Sequence, residues 1–179
     1  MKWEISLISA GAMSKSPEEQ EGYYRRSEYV TKQKRKLNSG WFDPAIKGEY
    51  LAPNLTAIAC RELGSEGDDV RLALTERSLL DGKKVGNWDI SVEIAAEHSK
   101  LDQSLILKTA QAKETLAIAR KTTQAFLDLG VTQRPTFLIE SEIGDRAVIS
   151  GLIQYEPIAS TINAMIHDVE AYRSWHKMY

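Results

Sequence analysis

The stretch that most constrains this chain is Gly130-Val131-Thr132-Gln133-Arg134-Pro135-Thr136-Phe137-Leu138-Ile139-Glu140. Proline has no amide hydrogen to give to a sheet and drives the residue before it out of the helical region. Arg134-Pro135 therefore marks a turn that launches a short apolar strand. Upstream, Leu116, Ala119, Thr123, Phe126 and Leu127 recur at helical spacing, which predicts a helix from about Lys113 to Leu129 that delivers the backbone to Gly130. Downstream, Thr136 to Glu140 and Ala147 to Ser150 flank Ser141-Glu142-Ile143-Gly144-Asp145, a spacing that suits an antiparallel hairpin. Pro157 opens a last amphipathic helix with Ile158, Ile162, Met165, Ile166 and Val169 on its buried side, and the aromatic, basic tail Tyr172 to Tyr179 extends or covers it.

The front half alternates less and turns helical early. Trp3-Glu4-Ile5-Ser6-Leu7-Ile8-Ser9 predicts a mostly buried strand, ended by Ala10-Gly11-Ala12. Ser16-Pro17-Glu18-Glu19 carries a cap, a proline in the first turn and a glutamate placed for a capping box. A helix is expected from there to about Leu37, with Tyr23, Val30 and Leu37 on one stripe. Trp41-Phe42-Asp43-Pro44 is an aromatic turn that plugs a core or lines a groove. Pro53 opens a helix through Leu55, Ile58, Ala59 and Leu63 that stops at Gly64, and Asp68 to Leu80 forms another, buried through Val70, Ala73 and Leu74. Asp89 is expected to cap a short helix with Ile90, Ile94 and Ala95, and Leu101-Asp102 to open one more. The order strand, helical block, proline turn, hairpin, helix predicts a small mixed sheet covered by helices.

A length of 179 residues suits one domain, or one domain with a large insertion, and a formal net charge of −2 points to no nucleic-acid or membrane partner. The basic run Lys32-Gln33-Lys34-Arg35-Lys36 reads as the solvated end of a helix rather than a phosphate-binding patch. Cys60 is the single cysteine, which excludes an intramolecular disulfide, a CxxC pair and a cysteine-rich zinc site within this chain. Its place beside the apolar stripe of a helix suits a small core residue more than a reactive thiol. His98, His167 and His176 lack metal-ligand spacing, and neither a GxGxxG, a phosphate-binding loop nor a nucleophile elbow is present. No metal and no cofactor are expected. No stretch reaches the roughly 20 apolar residues of a membrane span, and the first residues lack a signal-peptide pattern, so a cytoplasmic location is expected.

From Asp89 to Met165 the residues Ile90, Ile94-Ala95-Ala96-Glu97, Leu101-Asp102, Gly130-Val131, Pro135-Thr136-Phe137-Leu138-Ile139 and Ile149-Ser150-Gly151 fall in an order that resembles the DsbA-like branch of the thioredoxin superfamily, nearest to the cytoplasmic FrnE-type oxidoreductases. The resemblance implies an α/β, thioredoxin-like mixed sheet with a large helical insertion. Residues 1–12 and 110–179 would form the thioredoxin-like domain, and 13–109 the inserted helical domain. It also implies that Pro135 is a cis-proline beside the active site, and that Arg134, Pro135 and Thr136 hold a thiol, a disulfide-containing peptide or a small thiol such as glutathione. Family members commonly carry a small or apolar residue where this chain has Arg134. A cation there favours a nearby thiolate or other anion, while a surface arginine bound to a carboxylate is the competing reading.

The front departs from the family pattern, which places a strand and a Cys-x-x-Cys ahead of a strand like Trp3 to Ser9. The sheet implied for this chain lacks that first strand-helix unit. Three explanations stand: a shortened form of a longer protein, strands re-paired within the chain, or a strand borrowed from a partner in a homodimer. Function divides accordingly. The first hypothesis is a thiol-disulfide oxidoreductase homologue whose redox pair is absent from this chain, with Cys60 at most a lone thiol. The alternatives are a non-catalytic binding module, or a relative of the kappa-class glutathione transferases and hydroxychromene carboxylate isomerases. The serine those relatives use has no clear counterpart here, since Ser14 and Ser16 lie too far along the chain.

Overall fold

The computed structural model describes residues 2–8, 16–32, 34–41, 43–46, 48–151 and 154–178. Among them the order is α1 (Pro17–Thr31), α2 (Ala52–Glu62), α3 (Asp69–Leu79), α4 (Trp88–Ser99), α5 (Gln103–Ala110), α6 (Lys113–Asp128), β1 (Thr136–Glu140), β2 (Arg146–Ser150) and α7 (Tyr155–Met178). Packing divides the chain into two compact units, 1–125 and 126–179.

The helices of the first unit begin where short polar side chains can replace missing backbone partners. Ser16 accepts from the Glu19 amide at 3.2 Å, and Asp102 from the Leu105 amide at 3.0 Å. The cap of α4 is Asn87, not Asp89: its Oδ1 accepts from the Asp89 and Ile90 amides at 2.8 and 3.3 Å, which leaves Asp89 in the first turn. Helix α1 stops at Lys32, in the left-handed conformation, well short of Leu37. There the chain doubles back, and Arg25 and Glu28 bind the backbone of Leu37. The expected stripe is not the buried one, since Tyr23 and Val30 are half exposed and Gln20 and Tyr24 face inward. Lys34, Arg35 and Lys36 are exposed. Trp41 packs on the core as a plug, while Phe42 lies outside the described residues.

Two apolar clusters hold this unit. One joins Cys60, Val70, Leu74, Val85, Val92, Ile94 and Ile106 from α2 to α5; the other joins Leu7, Leu55, Ile58, Ala59, Ala110 and Ala119. Trp3 packs on the first, with the guanidinium groups of Arg61 and Arg71 at 4.8 and 5.7 Å from its ring centroid.

Residues 2–8 form no strand, which corrects the expected Trp3–Ser9 strand over its described part. Helix α6 supplies the hydrogen bonds a neighbouring strand would have supplied. The Leu7 amide donates to Thr123 Oγ1 at 2.9 Å, and Thr122 Oγ1 donates to the Ile5 carbonyl oxygen at 2.6 Å. Among the described residues the sheet is accordingly one antiparallel hairpin rather than a mixed sheet, in a chain that is otherwise helical.

In the second unit the register pairs Thr136 with Ser150, Leu138 with Val148 and Glu140 with Arg146. Alternation puts Phe137, Ile139, Ala147 and Ile149 on one face and Thr136, Leu138, Val148 and Ser150 on the other. Helix α7 begins at Tyr155, two residues before Pro157. None of its residues is fully buried. Ile162 and Ile166 are exposed, while Ile158, Met165 and Val169 are partly covered.

Candidate functional site

The proline turn is held from three directions. Gly130, at φ +70, ends α6, and the Arg134-Pro135 peptide bond is cis. The Gly151 amide donates to the Pro135 carbonyl oxygen at 2.8 Å, which continues the ladder one step past β1 and β2. Thr136 Oγ1 donates to the Gln133 carbonyl oxygen at 2.7 Å, and Ser150 Oγ reaches the same oxygen at 3.3 Å. The two hydroxyls lie 3.1 Å apart. The loop is fixed by groups of the hairpin itself.

This ladder decides which backbone groups stay available. Antiparallel pairs alternate between those that exchange hydrogen bonds and those that do not. Since Gly151 bonds Pro135, the bonded pairs that follow are Phe137 with Ile149 and Ile139 with Ala147. The amides and carbonyls of Thr136, Leu138 and Glu140 then point away from β2, along an edge on which no described strand pairs. Such an edge can accept an extended peptide, beginning directly after Pro135.

Arg134 stands at the head of that edge. Its guanidinium carbon lies 4.5 Å from the Phe126 ring centroid, and Nη1 donates to the Thr132 carbonyl oxygen at 3.4 Å. Partial desolvation pushes its pKa down from the usual arginine value, yet a guanidinium remains a cation in a protein. The ring and the carbonyl orient the guanidinium beside the turn.

Cys60 belongs to the core of the first unit and is 1% exposed. Burial pushes its thiol pKa up, opposed by a hydrogen bond with Ser99, so at neutral pH it is a protonated, covered thiol. Arg134, Pro135 and Thr136 are thus contiguous on one edge, whereas Cys60 is an interior residue of another unit. Nothing local in the sequence ties Phe126 or Ser150 to the turn, and Gln133, although next to Arg134, gives no sign that its carbonyl receives the Thr136 and Ser150 hydroxyls. Among the described residues no group of three or more histidine, cysteine or carboxylate side chains could hold a metal, and no helix is long and apolar enough to cross a membrane.

No protein-family model matches the sequence, and no curated protein matches it. The fold does have a counterpart among solved structures. It is similar to a crystal structure described as that of "a putative protein disulfide isomerase from Nitrosomonas europaea", with a TM-score of 0.62 and 14% sequence identity, over 97% of this chain and 80% of that one. The fold of this chain is thus of the kind seen in that structure. At that identity the likeness concerns the fold alone.

Proposed function

We propose that this chain is a DsbA-family thiol-disulfide oxidoreductase homologue of the FrnE type, whose Arg134-Pro135-Thr136 loop holds a thiol- or disulfide-containing substrate. The observation that carries the proposal is the backbone edge starting at Thr136, on which no described strand pairs, directly after a turn braced by Gly151, in a chain whose fold is similar to that of a structure described as a disulfide isomerase. The substrate's extended backbone adds to the edge, and Arg134 draws an anionic group, a thiolate or a carboxylate, toward the turn. Exchange itself proceeds by thiolate attack on a disulfide sulfur through a mixed disulfide. The attacking pair is not in these 179 residues, whose one cysteine is buried. In this proposal residues 1–12 and 110–179 make the thioredoxin-like part, and 13–109 its helical insertion, in a cytoplasmic protein.

The covered Cys60 also favours a second reading, a binding module that keeps the peptide edge and performs no redox chemistry. One experiment addresses both. A disulfide-containing peptide titrated into the isotope-labelled chain should shift the amide resonances of Thr136, Leu138 and Glu140, and Arg134→Gln should weaken the effect. No shift at these amides would remove the loop from consideration as a substrate site. In a parallel insulin-reduction assay the chain should show no turnover. Turnover that persists in Cys60→Ser would overturn the argument that its redox chemistry needs a pair from outside these residues.

A further inference from the structure

At the far end of β1, about 14 Å along the strand from Thr136, the second unit holds an open groove of about 320 Å³. Its floor is aliphatic, made by Ile139 of β1 and by Ile162, Met165, Ile166 and Val169 of α7. Ile166 is 49% exposed and Ile162 39%, so apolar surface faces solvent at the very place where the helix meets the hairpin. The rim is charged, with Glu140, Glu142, Glu170 and Arg173 around it. Arg173 grips Glu142 through two bonds of 2.7 and 2.8 Å, and each cancels the other's charge. Glu140 has only a loose cross-strand contact with Arg146, at 3.7 Å. With Arg146 counted beside Glu140, three carboxylates meet two guanidiniums, which leaves the rim with a small net negative charge.

We propose that this groove binds a partner's peptide segment in which an aliphatic side chain is flanked by lysine or arginine. The floor takes the aliphatic group, and Glu140 and Glu170 take the flanking cations. The volume lies at the small end of the roughly 300–1,000 Å³ common for ligand sites, enough for one or two aliphatic side chains and too small for a large cofactor. The net negative sign of the rim disfavours nucleic acid and anionic lipid headgroups and favours a cationic partner. None of its lining residues belongs to the Pro135 turn, and of the edge residues proposed to meet substrate it shares only Glu140.

The test is fluorescence anisotropy with a labelled Lys-Leu-Lys-Leu-Lys peptide and a Glu-Leu-Glu-Leu-Glu counterpart. The cationic peptide should bind at least about tenfold tighter, and raising salt from about 50 to about 200 mM should weaken it. Glu170→Lys and Ile166→Ser, both at accessible positions, should each lower its affinity by about fivefold or more with unchanged helical circular dichroism. On the unsubstituted protein, the same peptide should shift the resonances of Ile139 and Val169. The proposal is overturned if the acidic peptide binds equally well, if no binding occurs, if neither substitution matters, or if the shifts fall only on residues 134–136.

Discussion

Gly151 passes so close to Gln133 that a Cβ added to it would lie 2.9 Å from the Gln133 Cβ, while its amide bonds the Pro135 carbonyl oxygen at 2.8 Å. Its φ of +73 is a region that side-chain-bearing residues seldom adopt. Both facts forbid a larger residue. Gly151→Ala should therefore destabilise the second unit by about 1–3 kcal/mol, measured by urea unfolding, and should shift the amide resonances of Gln133 and Thr136. A substitution without cost would mean that the hairpin does not hold the turn.

Arg134 and Phe126 should couple energetically. A double-mutant cycle of Arg134→Gln and Phe126→Leu should give an interaction of about 0.5–1 kcal/mol, the range for an exposed cation over an aromatic ring. Additive single effects would show that the ring does not orient the guanidinium.

Cys60 should make stability depend on alkaline pH. Its pKa is raised in the folded state, so the folded protein holds the thiol proton more tightly than the unfolded chain does. This contribution is complete below the unfolded thiol value of about 8.5 and is lost as pH climbs from there through the folded value. Tyr24 is shifted in the same direction by burial, but from a higher starting point, so its share is lost later. Unfolding free energy measured from about pH 8 to 10 should fall, and Cys60→Ala should flatten the slope over that interval. Native Cys60 should also resist an aromatic disulfide reagent until the protein unfolds.

Thr123→Val should expose the cost of anchoring the first residues. Valine keeps the shape but removes the hydroxyl that accepts from the Leu7 amide, and losing that hydrogen bond costs about 0.5–1.5 kcal/mol. Hydrogen exchange at Leu7 should accelerate, while exchange at the Phe137 amide in the hairpin should not change. Equal protection at Leu7 in both forms would place that donor elsewhere.

Much of this architecture can be deduced from local chemistry. Ser16 and Asp102 announce helix starts because their side chains satisfy amides three residues away, and Pro135 with Gly144 frames the hairpin because φ is restricted at one and freed at the other. Elsewhere local signals compete. Asp89 has the chemistry of a cap, but Asn87 two residues earlier reaches the same amides and wins. The stripe through Tyr23 and Val30 is apolar enough to suggest burial, yet the helix turns Gln20 and Tyr24 inward.

By itself the sequence determined where most helices start, the proline turn and the hairpin, because these depend on backbone preferences acting over a few residues. Only the tertiary structure decided the fate of Trp3 to Ile8. Alternation there suits a strand, but whether an extended segment joins a sheet depends on which partner meets its amides, and the Leu7 amide finds Thr123 at a separation of 116 residues. It likewise decided that Phe126 lies under Arg134, that Gly151 closes on Gln133, and that an acidic, aliphatic groove opens beside α7. Contacts of that range carry no periodic trace in the chain, because each is made by two residues whose own neighbours give no sign of the other.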